Sequence, residues 1–241
     1  GDNIMALPIL ETATYELTLP SRDEVLQFRP FLVKEEKVLL MANEEGKQIS
    51  TAIKEVIKAC TFNKWDVDTA PLFDVEYVFL KIRAKSVGEI QKLKLLCPDD
   101  KETYAEAEID LSEVDVQVDD NHSNKILVDE ERNLGVVFKY PNVEMMDYDF
   151  GEEGKVNMKM IMEMIIDCVD HVFEGDKLYP GKDVTRKEMI DFFDSMNPNA
   201  FVKIQDFFLD MPRLRHTVEV ENPKTGVKSN VVLQGVRDFF A

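Results

Sequence analysis

The sequence predicts an α+β protein: an N-terminal β-hairpin with helices, a central acidic antiparallel β-region, and C-terminal helices closed by a β-hairpin. Three observations carry this. Thr14, Tyr15, Leu17 and Leu19 are strand formers, and Val25, Gln27 and Arg29 alternate with Leu26, Phe28 and Pro30 across the turn residues Pro20-Ser21-Arg22-Asp23. Ile49, Ile53, Val56, Ile57 and Cys60 recur at helical spacing, as do Phe201, Ile204, Phe207, Phe208 and Met211. Two further alternating pairs of segments flank Pro98-Asp99-Asp100-Lys101 and Asn222-Pro223-Lys224-Thr225-Gly226.

In order along the chain, a helix is expected from about Lys34 to Asn43, broken at Glu44-Glu45-Gly46, and a second one follows over the Ile49 to Cys60 stripe. Thr69-Ala70-Pro71 reads as a helix entry with proline in the first turn, Leu72 to Lys85 as the helix, and Gly88 as its stop. Leu93 to Cys97 and Tyr104 to Leu111 make a hairpin with Glu106, Glu108 and Asp110 on one side. Leu134 to Tyr140 is a strand ended by Pro141, and Val156 to Phe173 reads as one long helix with His171 near its end. Gly175 to Gly181 is expected to be a loop without a phosphate-binding pattern. Thr185, with Glu188 three residues on, has the capping-box signature of a helix start, and Asn197-Pro198 resets the chain before the helix from Asn199 to Asp210. The last hairpin pairs Val218–Glu221 with Val227–Leu233, and Phe239 and Phe240 follow as exposed-looking aromatics that must dock on the body or on another subunit, while Trp65 either helps cover the inner face of the third helix or is an exposed partner anchor.

At 241 residues the chain is long enough to bury a core without metal or disulfide support. The expected division is 1–88, an N-terminal hairpin with a helical lobe; 89–141, an acidic β-region; and 142–241, a C-terminal helical lobe. The formal charge is −18, which disfavours nucleic-acid binding. Between Asp99 and Glu153, 18 acidic residues stand against 4 basic ones, so −14 of that charge lies in this segment. It reads either as a solvated surface, with a loop at Asp119-Asp120-Asn121-His122-Ser123-Asn124, or as a docking face for a basic partner. No apolar run approaches the ~18 residues of a membrane span, and no signal sequence opens the chain. Met5 reads as an internal start, and the protein is expected to be soluble and to stay where it is made.

No pattern in the chain supplies catalytic chemistry. Cys60, Cys97 and Cys168 are odd in number and set in apolar surroundings, as reduced thiols are. The two proline-containing turns have the shape of paired-cysteine zinc knuckles, but Cys97 lacks a partner two residues on and the second turn has no cysteine, so no metal and no cofactor is expected. Asp147-Tyr148-Asp149-Phe150-Gly151 resembles a calcium loop only in part: its glycine comes one place early, and Met158 stands at the bidentate position. Met145, Met146, Met158, Met160, Met162 and Met164 crowd into twenty residues, either filling a core or forming a surface that re-packs against a partner.

Two segments carry a family resemblance. Met5-Ala-Leu-Pro-Ile-Leu-Glu-Thr-Ala-Thr-Tyr-Glu-Leu17 is similar to the opening of the baseplate hub proteins of T4-like bacteriophage contractile tails, and Phe28-Arg-Pro-Phe-Leu-Val-Lys-Glu-Glu-Lys37 resembles that family's second strand and its exit into the first helix. The N-terminal third carries the likeness best, Gly235 to Phe240 carry it in outline, and the acidic middle carries it poorly. The resemblance implies a non-enzymatic structural or assembly protein of the hub, working through contacts with other hub or tail proteins, in the host cytoplasm during assembly; whether it then stays in the virion tail baseplate or acts only as an assembly factor is left open. Contact candidates are Arg29, Trp65, Asp119, Asp120, Phe239 and Phe240. Two other functions stay open: a tail-associated cell-wall hydrolase using paired carboxylates, and an acidic adaptor or chaperone of a cellular system. The sequence leaves the oligomeric state open.

Overall fold

The computed structural model describes residues 10–45, 48–147 and 158–239. Among these the protein is α+β, with seven α-helices and eleven strands in four antiparallel sheets. The chain opens with β1 (Tyr15–Thr18), β2 (Val25–Phe28), α1 (Val33–Glu45), α2 (Ile49–Cys60) and α3 (Leu72–Val87). There follow β3 (Ile90–Leu96), β4 (Tyr104–Asp110), β5 (Asp115–Gln117), β6 (Lys125–Asp129), β7 (Leu134–Phe138) and a 3-10 turn at Val143–Asp147. The last part runs α4 (Met158–Asp167), β8 (Val169–Glu174), β9 (Lys177–Pro180), α5 (Arg186–Asp194), α6 (Pro198–Asp210), β10 (Arg213–Glu221), β11 (Lys228–Gln234) and α7 (Gly235–Asp238).

Three apolar cores result, and they do not follow chain order. In the first, alternation in β2 sends Leu26 and Phe28 inward against Ile53, Val56, Ile57 and Cys60 of α2 and Val75, Val78, Phe79 and Ile82 of α3. In the second, the β3–β4 hairpin packs with β10 and β11 over Leu80 and Ala84, on the other side of α3. In the third, the four-stranded sheet β6-β7-β8-β9 packs against α4, α5 and α6 through Phe138, Ile165, Met189, Phe193, Ile204 and Phe207. Helix α3 thus serves two cores and is apolar on more than one face, as a helix between two layers must be.

The expected helix to Phe173 stops at Asp167. Residues 169–174 form β8, paired with β7, and His171 therefore lies in a strand rather than at a helix end. The cause is a bulge. Val137 faces His171 while Phe138 faces Val169, so Asp170 is the extra residue, and Val169 and Val172 both turn inward although three positions apart. That spacing imitates a helical stripe. The expected loop from Gly175 to Gly181 is likewise mostly strand: Glu174 pairs with Lys177 across the two-residue turn Gly175-Asp176, where Gly175 supplies a φ of 58°. Pro71 is the cap residue before α3 rather than part of its first turn, since its ψ of 140° is extended. The calcium-like stretch from Tyr148 onward, and Phe240, lie outside the described residues.

Candidate interaction surface

The acidic segment divides into carboxylates spent on turns and carboxylates left to solvent. Alternation along β4 puts Glu106, Glu108 and Asp110 on its outer face, opposite Lys94, Lys92 and Ile90 of β3, and Lys92 reaches Glu108 at 3.0 Å. Asp110 accepts from the Ser112 amide and hydroxyl at 2.9 and 2.6 Å. Asp100 accepts from the Glu102 and Thr103 amides and the Thr103 hydroxyl, bonds that hold its carboxyl far below the usual range. Lys81 lies half-buried beneath this region, where its amine donates to the carbonyls of Leu111, Ser112 and Val114, and burial lowers its pKa.

The two proline-containing turns have the same backbone. The Lys101 amide donates to the Cys97 carbonyl at 2.9 Å and the Gly226 amide to the Asn222 carbonyl at 2.8 Å, with Lys101 and Gly226 at φ of 55° and 73°. They also meet. The Asn222 amide donates to both oxygens of Asp99 at 3.0 and 3.1 Å, and the Thr225 hydroxyl donates to Asp99 at 2.6 Å. Hydrogen bonds thus join turns of a kind that zinc joins in paired-cysteine knuckles. Among the described residues no group of three or more His, Cys, Asp or Glu is arranged to hold a metal ion. Cys60, Cys97 and Cys168 are free and buried, and burial pushes the Cys60 and Cys168 thiols up to about 11 and about 12.

Asp119 and Asp120 stand exposed at the head of the loop leading into β6. The Asp119 carboxylate accepts from the Asn121 amide at 2.8 Å, shaping the loop into an Asx turn. His122 anchors it, stacked on Tyr140 and Phe207 with ring centroids 5.6 and 5.1 Å away, and burial lowers the imidazole pKa. Nothing in the sequence pattern marked His122 for this role. The two aspartates are therefore presented from a pinned loop on the third core.

Of the two readings of each, Trp65 covers the core rather than standing out as an anchor, and Phe239 docks on the body of its own chain. Trp65 is 5% exposed within the first core and Phe239 is fully buried in the second, because α7 turns the chain back onto β10 and α3. Arg29 is also drawn inward: its guanidinium meets Glu35 at 2.9 Å and the Pro30 carbonyl at 2.9 Å, and its side chain is 13% exposed.

A cavity of about 610 Å³ lies between α3, α4, α6 and β10, with Phe73, Met164 and Phe208 among its apolar walls and Glu76 and Arg213 as charged members. Burial, opposed by the Val236 amide that donates at 3.1 Å and by Arg213 nearby, pushes the Glu76 carboxyl up to about 7. Gly235 is required beside it, since a Cβ there would come within 2.9 Å of Glu76 Oε1 and the residue has a φ of 69°. Glu76 is thus committed to the start of α7, and it braces the C-terminal segment against α3.

A family model described as T4 bacteriophage base plate protein matches residues 12–241. The chain belongs to that family. The match takes in every described strand and helix of this base plate protein, including the acidic middle, where the sequence resemblance was weakest. No curated protein sequence and no solved structure matches it. Among the described residues, no helix is long and apolar enough to cross a membrane.

Proposed function

We propose that this base plate protein is a structural or assembly subunit of the central hub of a contractile tail, acting through contacts with other hub or tail proteins rather than through chemistry. Membership of the base plate family supports the general assignment. The hub placement rests on the likeness of the segments from Met5 to Leu17 and from Phe28 to Lys37 to hub proteins. The observation that carries the contact reading is the pinned loop that presents Asp119 and Asp120 to solvent within the acidic segment. Such a face accelerates encounter with a basic surface and rejects acidic ones. Arg29, Trp65 and Phe239 work inward, which leaves the two aspartates at the surface among the described members of the expected contact set. The protein is expected in the host cytoplasm while tails are built and in the baseplate afterwards.

Cross-linking mass spectrometry on purified baseplates tests this reading. Cross-links from the Lys125 and Lys139 neighbourhood of the acidic loop to basic segments of central hub proteins are expected. Cross-links confined to proteins at the baseplate periphery would contradict the hub placement.

A further inference from the structure

The outer edge of β11 is a long strand edge without proline or bulge, open to pairing with another chain. Its backbone can be assigned group by group. The Asn222 amide donates to the Val227 carbonyl at 2.9 Å, so 222 and 227 form a hydrogen-bonded pair, and the register Val220↔Ser229, Val218↔Val231 continues that pattern along β10. The intervening residues Lys228, Asn230 and Val232 therefore point their N–H and C=O groups away from β10. All three are exposed, with Val232 at 43%. The edge ends at Gln234, whose amide is taken by Asp238 at 2.8 Å.

Most of the other edges carry a nameable obstacle, and β10, which β5 covers only over Arg213–Arg215, lies close to β4. β1, β2 and β9 are four residues long, and β9 ends in Pro180; β5 has three residues. β6 carries a bulge between Leu127 and Asp129 and is covered by α6. A second copy of β3 laid antiparallel on itself would set Lys92 against Lys94, and a second copy of β4 would set Glu106 against Glu108. β11 has seven residues, no proline, no bulge and one charge, Lys228, which Glu219 of β10 answers at 3.2 Å.

We infer that β11 pairs with β11 of a second copy of this chain, antiparallel about a twofold axis at Asn230, in one six-stranded sheet ordered β5-β10-β11-β11-β10-β5. The fit of the strand to itself selects this occupant. Centring on Asn230 sets Lys228 opposite Val232 of the second copy on both sides and Asn230 opposite Asn230. All three outward residues then meet in hydrogen-bonded pairs, making about six main-chain bonds. No like charges face each other, and the lysine stem covers the exposed valine. On the inner face, half-buried Val231 meets Ser229 of the second copy and extends the second core. The interface is isologous and closed, so it yields a dimer and no fibre.

The test is sedimentation equilibrium of the full chain from roughly 1 to 100 μM. The wild-type chain is expected to show a concentration-dependent dimer. Asn230→Pro removes only an outward-facing N–H, which an edge strand tolerates, and is expected to be monomeric with unchanged circular dichroism. Asn230→Lys and Asn230→Asp each place like charges across the axis and are expected to be monomeric alone and dimeric when mixed in equal amounts. A wild-type chain that stays monomeric throughout the range would overturn the inference, and that includes the case in which the edge accepts only a strand of a different protein. So would failure of the Lys and Asp variants to recover the dimer on mixing, or a wild-type-like dimer of Asn230→Pro.

Discussion

The Asn222 amide bridges both carboxylate oxygens of Asp99, tying the tips of two hairpins that are 123 positions apart in sequence. Asn222 is 1% exposed, and its side-chain oxygen Oδ1 accepts from the Lys224 amide at 2.8 Å. One side chain therefore shapes its own turn and joins it to the other.

Asn222→Ala is expected to lower the urea unfolding midpoint, since it removes the side chain that both shapes its own turn and holds Asp99. The pH dependence has a definite sign. The Asn222 amide, and then the Thr225 hydroxyl, hold the Asp99 carboxyl below its ordinary value of 3.8. The stability it contributes is present above that value and lost as pH falls through the depressed one, so the acid limb of the wild-type stability curve should be steeper than that of the variant.

Arg29→Met is expected to cost about 1–3 kcal/mol, because it leaves the Glu35 carboxylate, whose side chain is 6% exposed, with only the Leu32 amide at 2.8 Å and Lys34 at 3.6 Å. Burial raises the Glu35 carboxyl, and the bonds from Arg29 and from the Leu32 amide outweigh it, leaving its pKa below the ordinary value of 4.5. Combining Arg29→Met with Glu35→Leu should recover part of the loss, measured as a double-mutant cycle in urea.

Glu76 gives the opposite pH behaviour. With its pKa raised to about 7, the folded state binds a proton that the unfolded state has released above about 4.5, so stability is full below that pH and declines as pH rises through 7. Glu76→Gln keeps an oxygen for the Val236 amide and is expected to flatten this decline. Thermal melts between pH 5 and roughly pH 8 would show it as a loss of slope in Tm against pH.

Asp120→Lys changes the charge of the acidic loop without touching the Asx turn that Asp119 makes. Its stability is expected to lie within about 0.5 kcal/mol of wild type. Its association rate with purified baseplate intermediates should fall several-fold at low salt, with the difference shrinking at high salt. Stopped-flow or surface-capture kinetics at two ionic strengths would check both.

How much the sequence revealed depended on whether a signal was local. Thr185 and Glu188 form the full capping box expected of them, with the Glu188 amide 3.3 Å from the Thr185 hydroxyl and the Thr185 amide 2.9 Å from the Glu188 carboxylate. The alternation in β3 and β4 likewise survives residue by residue. Val169 to Glu174 misled because a bulge set its inward residues at helical spacing, a feature of the pairing with β7 rather than of the segment itself. The likeness of the turns at Cys97 and Asn222 was legible, but their contact through Asp99 was not, since hydrogen bonding between distant turns leaves no local pattern. The same holds for the contact candidates. Asp119 and Asp120 lie where a polar loop puts them, whereas the burial of Trp65 and Phe239 is decided by the first core and by the return of α7 onto α3.

The measurement that bears most directly on a structural role in the baseplate is quantitative mass spectrometry of extensively washed phage particles, normalised to a known tail subunit. A fixed, small number of copies per tail is expected. Absence from particles whose baseplates are complete, or a trace amount that varies from one preparation to the next, would contradict it.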